Sequence, residues 1–204
     1  MSIVSKQALE YLVSTDPIFK RIIDSYGIPP DWSRPRGFET LCRIILEQQV
    51  SLDSGKATYE KLHSLIDEFS PENIRQLSIQ EMRVATVSRQ KASYLIALSE
   101  SILNGELDLH SFGSMSTIAQ MTQLQKIKGI GPWTAQVYLL FAMGEPDIYP
   151  RGDIALINTI KELWSASSSE DAENISRRWS PHRSAASFLL WHYYLSKRGR
   201  SSPN

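Results

Sequence analysis

Apolar residues recur at helical spacing along almost the whole chain, and nowhere do apolar and polar residues alternate for long enough to make a half-buried strand. An all-α fold is therefore expected. The punctuation agrees with the period. Asp16-Pro17 places an N-cap before a proline at the first helical position, Phe19, Ile22 and Ile23 share one face, and Gly27 stops that helix. Pro29, Pro30 and Pro35 keep the next stretch extended, ahead of a helix from Phe38 to Gln49. Leu52 to Phe69 fits one long helix with Leu52, Ala57, Leu62, Leu65, Ile66 and Phe69 inward, ended by Ser70-Pro71. Ser78 and Glu81 have capping-box spacing. Ser88 heads a helix with the inward stripe Ala92, Leu95, Ile96, Ile102 and Leu103, stopped by Asn104-Gly105. Further helices are expected at 6–14, 115–121, 123–127, 132–143, 153–164, 169–178 and 181–197. The total is about ten helices.

A chain of 204 residues with 42% hydrophobic content, five Trp and eight Tyr can bury a sizeable core, as one domain or as two lobes sharing it. Cys42 is the lone cysteine, which excludes disulfide frameworks, cysteine-rich zinc sites and cysteine-ligated iron–sulfur clusters. The scattered His63, His110, His182 and His192 form no ligand motif. No apolar run approaches the roughly 20 residues of a membrane span, and acids interrupt the opening segment where a signal peptide is apolar. A soluble intracellular protein with no membrane partner is expected.

The 22 Lys and Arg balance the 22 Asp and Glu, which argues against a uniformly basic nucleic-acid coat. The balance is uneven along the chain. Residues 1–120 hold 12 basic and 15 acidic side chains, and 121–204 hold 10 and 7, so the halves carry −3 and +3. Lys126 and Lys128 lie in an acid-free stretch between Asp108 and Glu145, Arg83, Arg89 and Lys91 lie in another, and no acid follows Arg183. Each is either a phosphate-binding patch or ordinary solvated surface.

The most informative stretch runs from Leu124 to Leu140, two helical segments joined by Gly129-Ile130-Gly131 with Pro132 opening the second. Gly129 permits a left-handed turn, Ile130 can dip into the core, and the backbone amides at the start of the second helix face outward between Lys126, Lys128 and Thr134. Such a surface binds a phosphate without reading sequence. A plain connector between helices would use the same residues.

Here the sequence resembles the helix-hairpin-helix DNA glycosylase superfamily, and within it the AlkA-type 3-methyladenine DNA glycosylase II branch. The resemblance extends over roughly residues 7–195. Ile44-Ile45-Leu46-Glu47-Gln48-Gln49-Val50-Ser51 is similar to the family's helix end and DNA-probing loop, and Ser88-Arg89-Gln90-Lys91-Ala92 to its Ser-x-x-Lys-Ala helix start. Tyr149-Pro150-Arg151-Gly152-Asp153 falls where the family carries its catalytic aspartate, and Trp179 to Ser184 followed by Trp191 resembles its closing helix. What the resemblance implies is one domain over 1–204, with the hairpin at about 123–143. Its two lobes would be about 36–121 and the N-terminal segment with 122–200, and the active site would lie in the cleft between them. The amino-terminal β-domain of longer relatives is not expected, because helix signals begin by residue 7.

The resemblance also implies a chemistry. Asp153 would stabilise the oxocarbenium character of a sugar losing its base and orient or deprotonate water. As an N-cap of the helix that follows, it would sit at a positive helix end that favours a carboxylate. Trp133, two residues after Gly131, stands where backbone-cutting relatives carry a Schiff-base lysine, so a monofunctional enzyme is implied. Trp133 and Trp191 match the aromatic base pocket, with Val137 in place of an aromatic one turn on. As isolated tryptophans on amphipathic helices, both would instead be core. Gln48 and Gln49 match the probing loop, with Ser51, Arg89, Lys91, Lys126, Lys128, Gly129, Ile130, Gly131, Thr134 and Arg183 as DNA contacts. Glu47 departs from the small residue usual there, and an acid near phosphate is unhelpful unless it points inward. The carbonyls of Gln125, Ile127 and Ile130 match a site for a monovalent cation, Na⁺ or K⁺. No other cofactor is implied. The expected partner is double-stranded DNA with alkylated bases, bound by a monomer.

Three functions stay open on the sequence: an alkylbase glycosylase releasing 3-methyladenine, with 7-methylguanine an open second substrate, the same scaffold tuned to hypoxanthine, uracil or ethenoadenine, and a non-catalytic DNA-binding module.

Overall fold

The computed structural model describes residues 3–200, and all regular structure among them is helical. Twelve α-helices follow in order: α1 Lys6–Thr15, α2 Pro17–Tyr26, α3 Phe38–Glu47, α4 Leu52–His63, α5 Pro71–Gln76, α6 Ile79–Val84, α7 Arg89–Leu103, α8 Thr117–Gln125, α9 Pro132–Tyr138, α10 Ile154–Trp164, α11 Ser169–Ser176 and α12 Arg183–Ser196. Most begin where a short polar side chain accepts a first-turn N–H, as Ser5, Asp16, Ser51, Ser70, Ser78, Ser88, Ser116, Asp153 and Ser168 do. At α6 the box is reciprocal, with Glu81 Oε2 accepting the Ser78 amide at 2.8 Å. Among the described residues no helix is long and apolar enough to cross a membrane.

The chain divides into two units, one built from the described residues up to Ser33 and from Gly144 on, the other from Arg34 to Met143. The first packs α12 against α10 and α2, with α1 laid on α2 and α12. Phe19, Trp164 and Trp179 make its aromatic centre at ring separations of 5.1–5.7 Å, and Trp32 stands edge-on to Phe188 at 5.5 Å. Asp16 caps α2 and also accepts the Trp164 indole N–H at 2.6 Å, so one buried carboxylate ties α2 to α10. The second unit centres on α3, whose Leu41, Cys42, Ile44, Ile45 and Leu46 are fully buried against α4, α7 and α9.

Several expectations need correction. The hairpin belongs with residues 34–121 and not with the chain ends, because α9 packs on α3 and α8. The helix expected over 52–69 stops at His63. Phe69 is buried all the same, through ring contacts with Phe38 and Tyr59. Ser70-Pro71 begins a helix, with Ser70 Oγ accepting the Asn73 amide and proline at the first position. The stripe of α7 is Ala92, Leu95 and Leu98, and Leu103 is exposed. Residues 115–121 and 123–127 merge into α8, capped by Ser116. The helix expected over 132–143 turns π-helical at 139–143, where external donors take two carbonyls: Arg34 N–H reaches Phe141 O at 2.8 Å and Arg36 Nε reaches Ala142 O at 3.4 Å.

Candidate active site

Asp153 is reached through Gly152, whose φ of +79° turns the chain into the N-cap of α10. Its Oδ1 accepts the Leu156 amide at 3.0 Å and the Trp191 indole N–H at 3.2 Å. The carboxylate is therefore oriented by one donor from its own helix and one from α12. The same helix anchors the segment leading to it. Ser184 Oγ accepts the Ile148 amide at 2.9 Å and donates to the Glu145 carbonyl at 2.5 Å, and Ser184 is fully buried. Arg183 grips Asp147 through Nε to Oδ1 at 2.7 Å and Nη2 to Oδ2 at 2.9 Å. Burial pushes the Asp147 carboxyl up, but hydrogen bonds from Arg183 and Ser180 outweigh it and hold the pKa below the ordinary range.

Beside this loop Tyr149, Arg151, Gly152, Ile157, Ser169, Glu170 and Glu173 line a cleft of about 240 Å³. Arg151 pairs with Glu173 at 2.7 Å. The Tyr149 hydroxyl is buried with no hydrogen-bond partner among the described residues. Burial first, then the charges of Asp153 and Glu173, raise its pKa, so it stays a neutral donor. Trp191 itself is 9% exposed and packs edge-on to Phe188 at 6.1 Å, so it belongs to the core of its unit while its N–H reaches Asp153.

In the other unit the hairpin turn has the expected form. Gly129 adopts φ +91°, Ile130 is buried, and Gly131 caps α9 with no side chain over its first-turn amides. A Cβ at Gly129 would lie 2.1–2.6 Å from Tyr94 Cγ, Cδ2 and Cβ, so the ring of α7 fits only against glycine. Gln48 donates to the Gly129 carbonyl at 2.9 Å and to Thr134 Oγ1 at 2.8 Å, stapling the end of α3 to the hairpin. Gln49 follows in a left-handed conformation, φ +54°, and is exposed, as is Val50. Ser51 caps α4. Trp133 is half-buried, Thr134 and Val137 are buried, and the Tyr138 hydroxyl accepts the Gly37 amide at 3.1 Å, away from the side Val137 occupies.

The basic residues separate into two kinds. Arg89, Lys126 and Lys128 are exposed. Lys91 instead donates to the Leu46 carbonyl at 2.6 Å, and Arg183 holds Asp147. Either reaches a phosphate only by leaving that partner or sharing it. The Ile127 carbonyl accepts the Ile130 amide at 3.0 Å, while Gln125 lies on the exposed side of α8. Among the described residues no cluster of His, Cys, Asp and Glu could hold a metal ion. Sequence reasoning missed Asp147, Arg34 and Tyr94; each meets a partner remote in sequence, Arg183, Glu47 and Gly129 respectively, and no local pattern marks it.

The Gly129-Ile130-Gly131 turn between α8 and α9, stapled to Gln48, has the form of a helix-hairpin-helix. Residues 42–182 match the HhH-GPD superfamily of base excision DNA repair proteins, and the chain belongs to it. YfjP of Bacillus subtilis is 33% identical over 165 residues, 76% of this chain, and the chain spans 58% of that relative's length. The alkylbase DNA glycosidase-like protein mag2 of Schizosaccharomyces pombe is 28% identical over 196 residues, covering 91% of this chain and 92% of mag2. The fold is that of the 3-methyladenine DNA glycosylase Mag1 of the same yeast, solved with abasic DNA, at a TM-score of 0.86 and 24% identity over 95% of this chain and 97% of that one.

Proposed function

We propose that this chain is a monofunctional DNA glycosylase that extrudes an alkylated base, 3-methyladenine and also 7-methylguanine, from duplex DNA and hydrolyses its N-glycosidic bond. The observation that carries the reading is the Asp153 carboxylate, fixed by the Leu156 amide and the Trp191 indole N–H. As the C1′–N bond breaks, its electron pair leaves with the base. Positive charge builds on the sugar, where a fixed carboxylate stabilises it without having to reorganise. Water adds at C1′ and gives up a proton, to Asp153 or to solvent, and an abasic site remains. A cationic alkylated base leaves readily and stacks well on an indole, the role this reading gives Trp133 on α9.

Trp133 carries no primary amine, so no Schiff base forms at this position. Exposed Gln49 and Val50 are the residues offered to the gap left by extrusion, and Arg89, Lys126 and Lys128 are the exposed cations for phosphate contact. The carbonyls of Gln125, Ile127 and Ile130 would serve a Na⁺ or K⁺ that bridges to phosphate. The enzyme acts as a monomer wherever the genome lies inside the cell, in cytoplasm and nucleoid or in a nucleus.

The test is release of free base from single-lesion duplexes by wild type and Asp153→Asn. Release of 3-methyladenine by wild type, its fall by at least about a hundredfold in the variant, and retained binding to abasic duplex are expected. Borohydride should trap no covalent adduct. Release of hypoxanthine, uracil or ethenoadenine instead would assign another lesion, and binding without release of any base would make the chain a DNA-binding module.

A further inference from the structure

Glu47 is an acid at the start of the probing loop, and the structure shows why it is tolerated. Its side chain, 10% exposed, turns inward onto Arg34, 5% exposed, with Nη1 to Oε2 at 2.9 Å and Nη2 to Oε1 at 3.1 Å. Arg43 adds a third contact at 3.5 Å. Room for the acid comes from α4. A Cβ at Gly55 would stand 3.0 Å from Glu47 Cγ and 3.2 Å from its Cα. Arg34 is itself fixed, by its amide on the Phe141 carbonyl at 2.8 Å and by its guanidinium 5.1 Å over the Phe141 ring. Phe141 lies in the π-helical continuation of the hairpin's second helix.

The residues on either side of Glu47 are held as well. Leu46 O accepts from Lys91 of α7, and Gln48 bonds Gly129 and Thr134. Three consecutive residues are thus tied to three different places, immediately before the chain turns left-handed at Gln49 and becomes exposed. A buried ion pair is weak support for stability as such, and an apolar pair of similar volume often serves as well. Its bidentate geometry does fix distance and direction. We infer that Arg34 and Glu47 are positioning residues that, acting through Gln48, set how far the Gln49–Val50 tip projects into the duplex, and so act on base extrusion and not on bond cleavage. The inference rests on the glycosylase reading.

The double variant R34M/E47M replaces the ion pair with an apolar pair and is expected to fold as wild type. Gly55→Ala, which presses a Cβ against Glu47 Cγ and changes no charge, is the second variant. Both are assayed for excision of one lesion in a paired duplex and in single strand. Both are also titrated with a duplex carrying 2-aminopurine opposite an abasic analogue, whose fluorescence reports entry of the tip. The expected result is a loss of about tenfold on the paired duplex, a single-strand rate within about twofold, and a smaller fluorescence change. Wild-type rates on the paired duplex, or equal losses on both substrates, would overturn the inference. If wild type excises no methylated base, the activity reading fails, and the fluorescence change alone decides the positioning role.

Discussion

Trp191 donates its indole N–H to the same Asp153 oxygen that accepts the Leu156 amide, at 3.2 and 3.0 Å. A ring expected to bind the base is therefore also a holder of the carboxylate. Trp191→Phe keeps most of the packing against Phe188 and removes only the donor. A hydrogen bond to a charged group contributes about 1.5–3 kcal/mol, so kcat should fall roughly ten- to hundredfold with KM within about threefold. Single-turnover kinetics on a methylated duplex check this. A rise in KM at constant kcat would make the ring a stacking surface alone.

Gly129 faces Tyr94 with no space for a Cβ, at a φ of +91°. Gly129→Ala combines overpacking, about 1–3 kcal/mol, with left-handed strain of about 1–2 kcal/mol. Denaturant titration should show a loss of about 2–5 kcal/mol. In a Tyr94→Gly background the same substitution should cost less, because Cγ, Cδ2 and Cβ of residue 94 are all removed and only the backbone strain at Gly129 remains.

Asp147 has its pKa depressed in the folded protein by its contacts with Arg183 and Ser180. A depressed carboxyl contributes stability that is fully present above its unfolded pKa of about 3.9 and is lost as pH falls through the folded value. Wild-type Tm should therefore drop more steeply below about pH 4 than that of Asp147→Asn, which starts lower at neutral pH. Parallel acid limbs for the two proteins would remove Asp147 from the account.

Charge placement separates two groups of basic residues in a salt titration. Neutralising Lys126, Lys128 or Arg89, all exposed, should reduce the slope of log K against log salt by about 0.9 each and leave Tm unchanged. Arg183→Gln should lower Tm, since it leaves Asp147 unpaired, and change the slope little.

The elements that could be read in advance are those whose signals are local. Asp16-Pro17, the Ser78–Glu81 box, Gly129-Ile130-Gly131 and the capping position of Asp153 each state their geometry within four residues, and each takes it. Ser70-Pro71 misled because a serine before proline closes one helix and opens the next with the same atoms. Non-local pairings were not readable. Arg183 carries the same charge as Lys128, yet only the fold brings Asp147, 36 residues away, into its fork. Glu47 was legible as an anomaly, but its partner Arg34 precedes it by 13 residues in a proline-rich stretch with no helical period. Sequence gives the residue types of a site sooner than it gives their engagements.

The two units differ in how the chain supplies them. Residues 34–143 are contiguous, whereas the other unit joins the described residues up to Ser33 to those from Gly144 on. Synthesis proceeds from the N-terminus at about 5–20 residues per second. The unit with the hairpin and probing loop can therefore close its core while α10 and α12 are still unmade. α1 and α2 meanwhile wait with Leu12, Phe19 and Ile22 unburied for α12, which follows all the other described helices. Long-range closure of this kind is slow. The nascent protein consequently forms its Gly129-Ile130-Gly131 turn before its aspartate is oriented, and Trp191, made well after that turn, completes the carboxylate's setting.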